Sequence, residues 1–485
     1  MKINKIMLTL LAALLTMGTA PAFAALPAKP NIIWLMEDDL GYGEVGCYGQ
    51  KLVPTPKIDR MAAEGLRFTQ FYAGSTVCAP SRSVLMTGQH LGHTRVRGNA
   101  LPADYTPQNL QPQDVTVAEV LKNADYATAL VGKWGLGVEG TDTVPTRQGF
   151  DFFFGYLDQY HAHCAWPEFL IKDEGRVQLR NKLRKDGKAY EKLGAGIPIE
   201  KVDYSPDLMQ VEALKWIEAN KDHPFFLYYS PTVPHANNEL TLETGAGQEC
   251  RNHGAFANQD WPDPDKAHAA QIAELDENLG QLLALVRKLG IADRTLVIFT
   301  SDNGPHREGG NRPEFFQSSG PLRGIKRDLY EGGIRMPFIA WWPGQIKPGV
   351  TDQLGYFGDL MATAAQLAGT KCPTNTDSIS FVPTLLGQPE KQKQHEYYYW
   401  EFHEKGTKQA VRWGDWKGVR LGVNQPLELY DLKTDIGETN NVAAAHPEVV
   451  KQITAILAQA RTENPNWPLR VEGTEGVTDW GKPPK

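Results

Sequence analysis

Apolar runs and polar breaks alternate along most of the chain. NIIWLM (31–36) is a short unbroken apolar run that stops at Glu37-Asp38-Asp39. It predicts a buried strand with carboxylates at its carboxyl end. TPKIDRMAAEG predicts a helix with a glycine stop. Pro80 suits a first helical turn, and SRSVLMTG continues it. YATALVGKW (126–134) predicts a strand ending in a glycine-flanked lysine, and the amphipathic PDLMQVEALKWIEAN runs straight into a strand, FFLYYS. In KAHAAQIAELDENLGQLLALVRKLG, Ile272, Leu275, Leu279, Leu282, Val286 and Leu289 fall on one helical stripe. TLVIFT (295–300) is another buried strand and ends in Ser301-Asp302-Asn303. FIAWWPG and DLMATAAQLAG add a strand and a helix.

Strands alternating with helices predict an α/β fold: a large, mostly parallel central sheet flanked by helices. Past residue 385 the pattern changes. EYYYWEF, KQAVRWGDWKGVR and LELYDL are aromatic strand candidates at turn spacing, followed by the helix EVVKQITAILAQA. They predict a smaller C-terminal α+β lobe containing an antiparallel sheet. The expected organisation is residues 1–24 as a leader, 25–385 as the main domain and 386–485 as the smaller one.

The leader follows from the start of the chain. MKINK is basic, IMLTLLAALLTM is apolar but short for a membrane span, and Ala22-Phe23-Ala24 is a cleavage signal. Together they read as a secretory signal peptide and a periplasmic or secreted protein, with no stable membrane span. Length and composition fit a globular chain: 485 residues, 41% hydrophobic and 22% charged. A formal net charge of −7 argues against nucleic acid as a partner. Any anionic substrate must be drawn by local positive charge. The mature chain keeps five cysteines, Cys47, Cys78, Cys164, Cys250 and Cys372. Five is odd for an exported protein, so at least one is free or chemically converted.

Chemistry concentrates at strand ends. Asp38, Asp39, Asp302 and Asn303 are oxygen donors at the ends of two strands, where open α/β sheets build sites. Such a set suits a hard cation, Ca²⁺ or Mg²⁺, better than zinc. Cys78 opens CAPSRSVLMTG (78–88). A structural thiol needs neither the proline nor the arginine beside it.

That motif, with PNIIWLMEDDLGYGEVGCYG (30–49), VGKWGLG (131–137), PFFLYYSPTVPHA (224–236), TSDNGPH (300–306) and GIKRDLYEGGIRMP (324–337), resembles the type I sulfatases of the alkaline-phosphatase-like superfamily. The resemblance runs over roughly 30–345. It implies that an activating, formylglycine-generating enzyme oxidises Cys78 to Cα-formylglycine during export. The hydrated aldehyde, beside one calcium ion per chain, would attack a sulfate monoester, and collapse of the sulfated hemiacetal would expel sulfate. It implies calcium ligation by Asp38, Asp39, Asp302 and Asn303. It gives Arg82 the task of holding residue 78, Lys133 and Lys326 that of clamping sulfate oxygens, and His235 that of protonating the leaving oxygen. A sulfated glycan is the expected substrate.

One position departs from the family pattern. The family usually reads G-K-W-H-L-G, and here Gly135 stands where the histidine would be. His161, His163 and His306 are the candidates to replace it or to bind substrate. The basic segment 172–192 reads as a guide for a polyanion or as a solvated insertion. Trp166 and the tryptophans of 400–416 read as sugar platforms or as core. Two rival activities remain open to the sequence: a phosphonate or phosphate ester hydrolase of the same superfamily, and a non-catalytic binder of sulfated glycans.

Overall fold

The computed structural model describes residues 27–100, 106–184 and 194–471. The predicted signal peptide, 1–24, lies outside the described residues. The strands among the described residues are β1 (Asn31–Glu37), β2 (Leu66–Tyr72), β3 (Ala127–Lys133), β4 (Phe152–Tyr156), β5 (Phe169–Lys172), β6 (Gly175–Gln178), β7 (Lys182–Leu183), β8 (Pro198–Glu200), β9 (Phe225–Ser230), β10 (Thr295–Ser301), β11 (Arg335–Trp341), β12 (Gly349–Thr351), β13 (Gly355–Tyr356), β14 (Tyr398–Phe402), β15 (Lys408–Trp413), β16 (Trp416–Arg420) and β17 (Glu428–Asp431).

An eleven-stranded sheet follows the order β12-β2-β11-β10-β1-β9-β3-β4-β5-β6, with β13 paired to β2. Its centre, β10-β1-β9-β3-β4, is parallel throughout. These strands are covered on both faces, so they read as continuous apolar runs. Successive side chains of β1 serve opposite cores. Ile32, Trp34 and Met36 join one cluster, and Ile33 and Leu35 join the other. Each such side chain, fully buried, contributes roughly 1.5–3 kcal/mol. The edges are mixed: β11 runs antiparallel to β10 and β2, as β5 does to β4 and β6.

Parallel register brings the strand exits together. Glu37 lies opposite Ser301, so Asp38-Asp39 and Asp302-Asn303 leave the sheet side by side. Gly132 lies opposite Ser230, which sets Lys133 beside the segment leading to His235. The helix Asp263–Lys288 carries the predicted stripe, with Ile272, Leu275, Leu279, Leu282 and Val286 buried. Leu289 falls just past the end of that helix, at its C-cap.

The smaller sheet, β14-β15-β16-β17, is wholly antiparallel. Trp400, Ala410, Val419 and Tyr430 share a core with Trp34 and Phe338 of the large sheet. The opposite face, including Tyr399 and Val411, packs on Ile453 and Leu457 of the helix Pro447–Gln459. Trp400 is fully buried and donates its indole N–H to Ala73 O (3.0 Å), which makes it core. Trp166 is also buried, against Tyr204. All five cysteines are free.

Candidate active site

Cys78 is the first residue of the helix Cys78–Thr87, every residue of which is buried. Arg82 is four residues on, on the same face of the helix. Its guanidinium donates from Nη2 to Asp302 Oδ2 (2.7 Å) and from Nη1 to Lys133 O (2.9 Å), Tyr228 Oη (3.2 Å) and Ser230 Oγ (2.5 Å). One arginine thus ties the helix to the ends of β3, β9 and β10. Ser81 fixes the same helix by donating to Asp302 O (2.6 Å) and accepting from Gly74 N (3.1 Å).

Cys78 Sγ lies 3.4 Å from Asp38 Oδ1, and Asp38, Asp39, Cys78 and His235 offer donor atoms within 4.8 Å of one another. Lys133 Nζ donates to Asp38 Oδ2 (2.8 Å), and Lys326 Nζ to Asp39 Oδ2 (2.7 Å) and Glu308 Oε2 (2.8 Å). Asn303 Nδ2 donates to Asp39 Oδ1 (2.6 Å). Asp38, Asp39, Asp302 and Asn303 are fully buried.

Charge and burial compete here. Burial would raise Asp38, but Lys133, His235 and Arg82 outweigh it and hold it well below the usual carboxylate range. Asp302 goes the other way, to about 7, through burial and the adjacent Asp38 charge. Burial also raises the Cys78 thiol well above its ordinary value, although Lys133 opposes this. Among the described residues, Arg82 Nε and Asn303 Oδ1 are buried with no hydrogen-bond partner. Buried orphans of this kind call for an explanation. Three carboxylates and an amide oxygen at adjoining strand ends are the donor chemistry of a hard cation. The residues therefore fit a hard divalent cation.

His235 stands beside Lys326, whose Nζ donates to His235 Nε2 (3.3 Å). His235 Nδ1 donates to Ala236 O (2.8 Å). Burial and Lys326 lower this histidine to about 3. One cleft is lined by Cys78, Lys326, His235 and His163, and also by Gln159 and Arg327.

Comparison with known proteins decides the family. The sequence model of the family described as "Sulfatase" matches residues 30–370, and that described as "N-sulphoglucosamine sulphohydrolase, C-terminal" matches 325–463. The chain belongs to the sulfatase family. Arylsulfatase A of Homo sapiens is 35% identical over 480 residues, covering 90% of this chain and 89% of that one. N-acetylgalactosamine-6-O-sulfatase of Bacteroides thetaiotaomicron is 30% identical over 503 residues, covering 90% and 93%. Among solved structures, Ps i-CgsB in complex with k-i-k-neocarrahexaose superposes with a TM-score of 0.74 at 25% identity, covering 91% of this chain and 95% of that one. The protein is a sulfuric ester hydrolase.

The three candidate histidines of this sulfatase part company. His161 and His163 lie in one 3-10 turn, where residues two apart point to different sides. His163 faces the cleft. The structure does not bring His161 there: its Nε2 meets Phe169 O (2.9 Å), and its ring packs on Tyr156 and Phe169. Burial lowers His161 to about 3. His306 sits behind His235, ring centroids 6.0 Å apart, with its Nε2 on Pro234 O (3.1 Å). The basic segment is spoken for in its described part. Arg176, Arg180 and Lys182 pair with Glu139, Asp203 and Glu200.

Sequence reasoning missed several cleft residues. Glu308 accepts from both Lys326 and Arg327, and Arg327 also donates to Glu404 (2.7 Å) of the smaller lobe. Glu308 is two residues past His306 and Arg327 directly follows Lys326, so proximity to motif residues was the available signal. Gln159, Asn99 and Glu404 carried none.

Proposed function

We propose that this protein is an exported, calcium-dependent formylglycine sulfatase that removes sulfate from a carbohydrate. Its catalytic unit would be residues 25–385, with 386–485 as the smaller unit, and its location the periplasm or the exterior. The carrying observation is the position of Cys78. It heads a buried helix against Asp38, within a cleft that also holds Lys326 and His235. The carbohydrate is supported by the relatives, one named for N-acetylgalactosamine and one solved with a neocarrahexaose.

Asp38, Asp39, Asp302 and Asn303 would hold the calcium ion, whose positive charge would favour ionised oxygen beside residue 78. An aldehyde at residue 78, made by an activating enzyme, supplies an oxygen nucleophile in its hydrated form and a route for sulfate release. The chain's own residues do the rest. Arg82 fixes residue 78 against the strand ends and keeps its unpartnered Nε at the site. Lys133 and Lys326 are held as ammonium ions, because Asp38 and Asp39 overcome their burial. They would bind the oxygens of a sulfate group, the kind of fixed positive charge that stabilises a transferring anion. His235, whose Nε2 lies 3.3 Å from Lys326 Nζ, would meet the leaving oxygen of the ester and protonate it.

Mass spectrometry of the peptide spanning residue 78, from protein co-expressed with an activating enzyme, tests this reading. The expected product is an aldehyde that reacts with a carbonyl probe. A full thiol in an enzyme that still turns over would overturn it. Chelation with EGTA is expected to abolish sulfate release and lower the thermal midpoint, with added calcium restoring both. Parallel assays on phosphate and phosphonate monoesters are expected to give much slower turnover.

A further inference from the structure

Cys78 and Gln159 line one cleft, and Gln159 reaches it, buried, from just beyond the end of β4. A chain of hydrogen bonds beginning next to residue 78 fixes which way its amide points. Ala79 N–H can only donate, and it donates to Asn99 Oδ1 (3.1 Å), so the atom it meets is the oxygen of Asn99. Gln159 Nε2 donates to that same oxygen (3.4 Å). The nitrogen of Gln159 is therefore turned to Asn99, and Oε1 is the free arm. Oε1 accepts no hydrogen bond among the described residues, yet it is not one of the fully enclosed unpartnered atoms, so it meets the solvent of the cleft.

Gly135 brings no side chain to this place. A Cβ there would lie 3.5 Å from Gln159 Nε2 and 3.6 Å from Arg82 Cδ, so the Gln159 carboxamide and the Arg82 stem border the same spot. Arg82 is one helical turn beyond residue 78. The other groups around residue 78 are poor acceptors. Arg82, Lys133 and Lys326 can only donate. Asp38 and Asp39 take the two lysine ammonium groups, and Glu308 takes Lys326 and Arg327. Asn238 is another cleft amide with an unpartnered Oδ1, but its Nδ2 is tied to Glu308 (3.5 Å) and not to the Ala79–Asn99 chain.

A hydrated aldehyde carries two hydroxyls on one carbon. One supplies the nucleophilic oxygen. The second is an O–H donor in a site crowded with donors, and a buried donor without an acceptor is costly. An amide oxygen answers it without negative charge, so it does not repel an incoming sulfate as a carboxylate would. Resting on the formylglycine reading above, we propose that Gln159 Oε1 accepts the hydrogen bond of the second hydroxyl of hydrated residue 78 and holds that residue in its hydrated form. Hydration adds one water across the carbonyl. The water oxygen bonds to carbon, the π pair moves to the carbonyl oxygen, and that oxygen takes the proton the water gives up. Gln159 neither gains nor loses a proton; it shifts the balance toward the diol and orients it.

Carbon-13 NMR of the calcium-loaded enzyme, with cysteine labelled at Cβ and residue 78 converted by the activating enzyme, tests this. Thiol, aldehyde and diol carbons resonate far apart, so the aldehyde-to-diol ratio is read directly. Gln159→Leu removes the acceptor at similar size. It is expected to raise that ratio about three- to tenfold, the equivalent of one ordinary hydrogen bond, and to lower kcat for 4-nitrophenyl sulfate by a similar factor. Gln159→Glu keeps an acceptor, so its ratio is expected to stay close to the parent's while KM rises, because a carboxylate repels the sulfate. A residue that only shapes the fold would not separate the two variants in this way. An unmoved ratio in Gln159→Leu, or an equal shift in both variants, overturns the proposal. Should Gln159→Leu fail to fold, Gln159→Met, equally long and without an oxygen, is read in its place. A parent that shows only thiol carbon sinks the formylglycine reading and this proposal together; a parent that shows diol, with a ratio the variants leave unchanged, sinks this proposal alone.

Discussion

Gly135 shows how one residue can depart from a family pattern without leaving a hole to fill. Its φ is +75°, in the left-handed region that side chains enter only at a cost. A Cβ there would meet Gln159 Nε2 at 3.5 Å and Arg82 Cδ at 3.6 Å, which is ordinary contact. Space is therefore not the obstacle; the backbone is. Gly135→Ala is expected to cost roughly 1–2 kcal/mol in denaturant unfolding, and Gly135→His no less, without a gain in turnover. A stable, faster Gly135→His variant would mean that the local backbone relaxes freely. At this scale the sequence was readable wherever a residue ends a buried strand. Asp38, Lys133 and Asp302 are reached by counting along apolar runs. Gln159 was not readable, because it lines the cleft from a segment far from residue 78 in the chain. His161 misled for a local reason: two histidines in one tight turn cannot both point the same way.

Among the elements, the helix Cys78–Thr87 is the one whose position matters most, and it has no side-chain cap at Val77. Its anchoring falls to Arg82 and Ser81. Ser81→Ala leaves the buried Gly74 N–H without its acceptor and frees the helix from Asp302 O. A loss of about 1–3 kcal/mol is expected, together with slower sulfate release at unchanged aldehyde content. Full stability with full activity would show that Arg82 alone sets the helix. The central strands were legible because burial on both faces leaves unbroken apolar runs. β2 was not, since Arg67, Thr69 and Gln70 interrupt it and are partly exposed. Nor could apolar runs give the direction of β11, because antiparallel and parallel neighbours bury the same side chains.

Across the whole molecule, the smaller sheet joins the larger through buried charge as well as shared core. Glu401, on β14, is fully buried and accepts from Arg461 Nε (2.9 Å) and Arg97 Nη1 (3.4 Å), with His403 Nε2 at 3.0 Å. Burial would raise its pKa, but His403, Arg97 and Arg461 bring it down to about 2. A folded value below the unfolded one, about 4.3, gives stability that is fully present above the unfolded value. That stability is lost as pH falls from there through about 2. The span corresponds to an effect on the order of 3 kcal/mol. Glu401→Gln leaves buried Arg97 without its carboxylate partner and Arg461 with only the exposed Glu463, so the variant is expected to be less stable than the parent at pH 7 by a similar amount. The gap should close steadily between about pH 4.5 and pH 2, where the parent's own Glu401 becomes neutral. Denaturant midpoints of both proteins across that range measure it. The same strand leads to Glu404, which holds Arg327 at the cleft. Loss of the Glu401 anchor should therefore reach the site as slower turnover even where the variant remains folded. A stability gap that does not change with pH would show that Glu401 contributes through packing, and that charge does not bind the two sheets together.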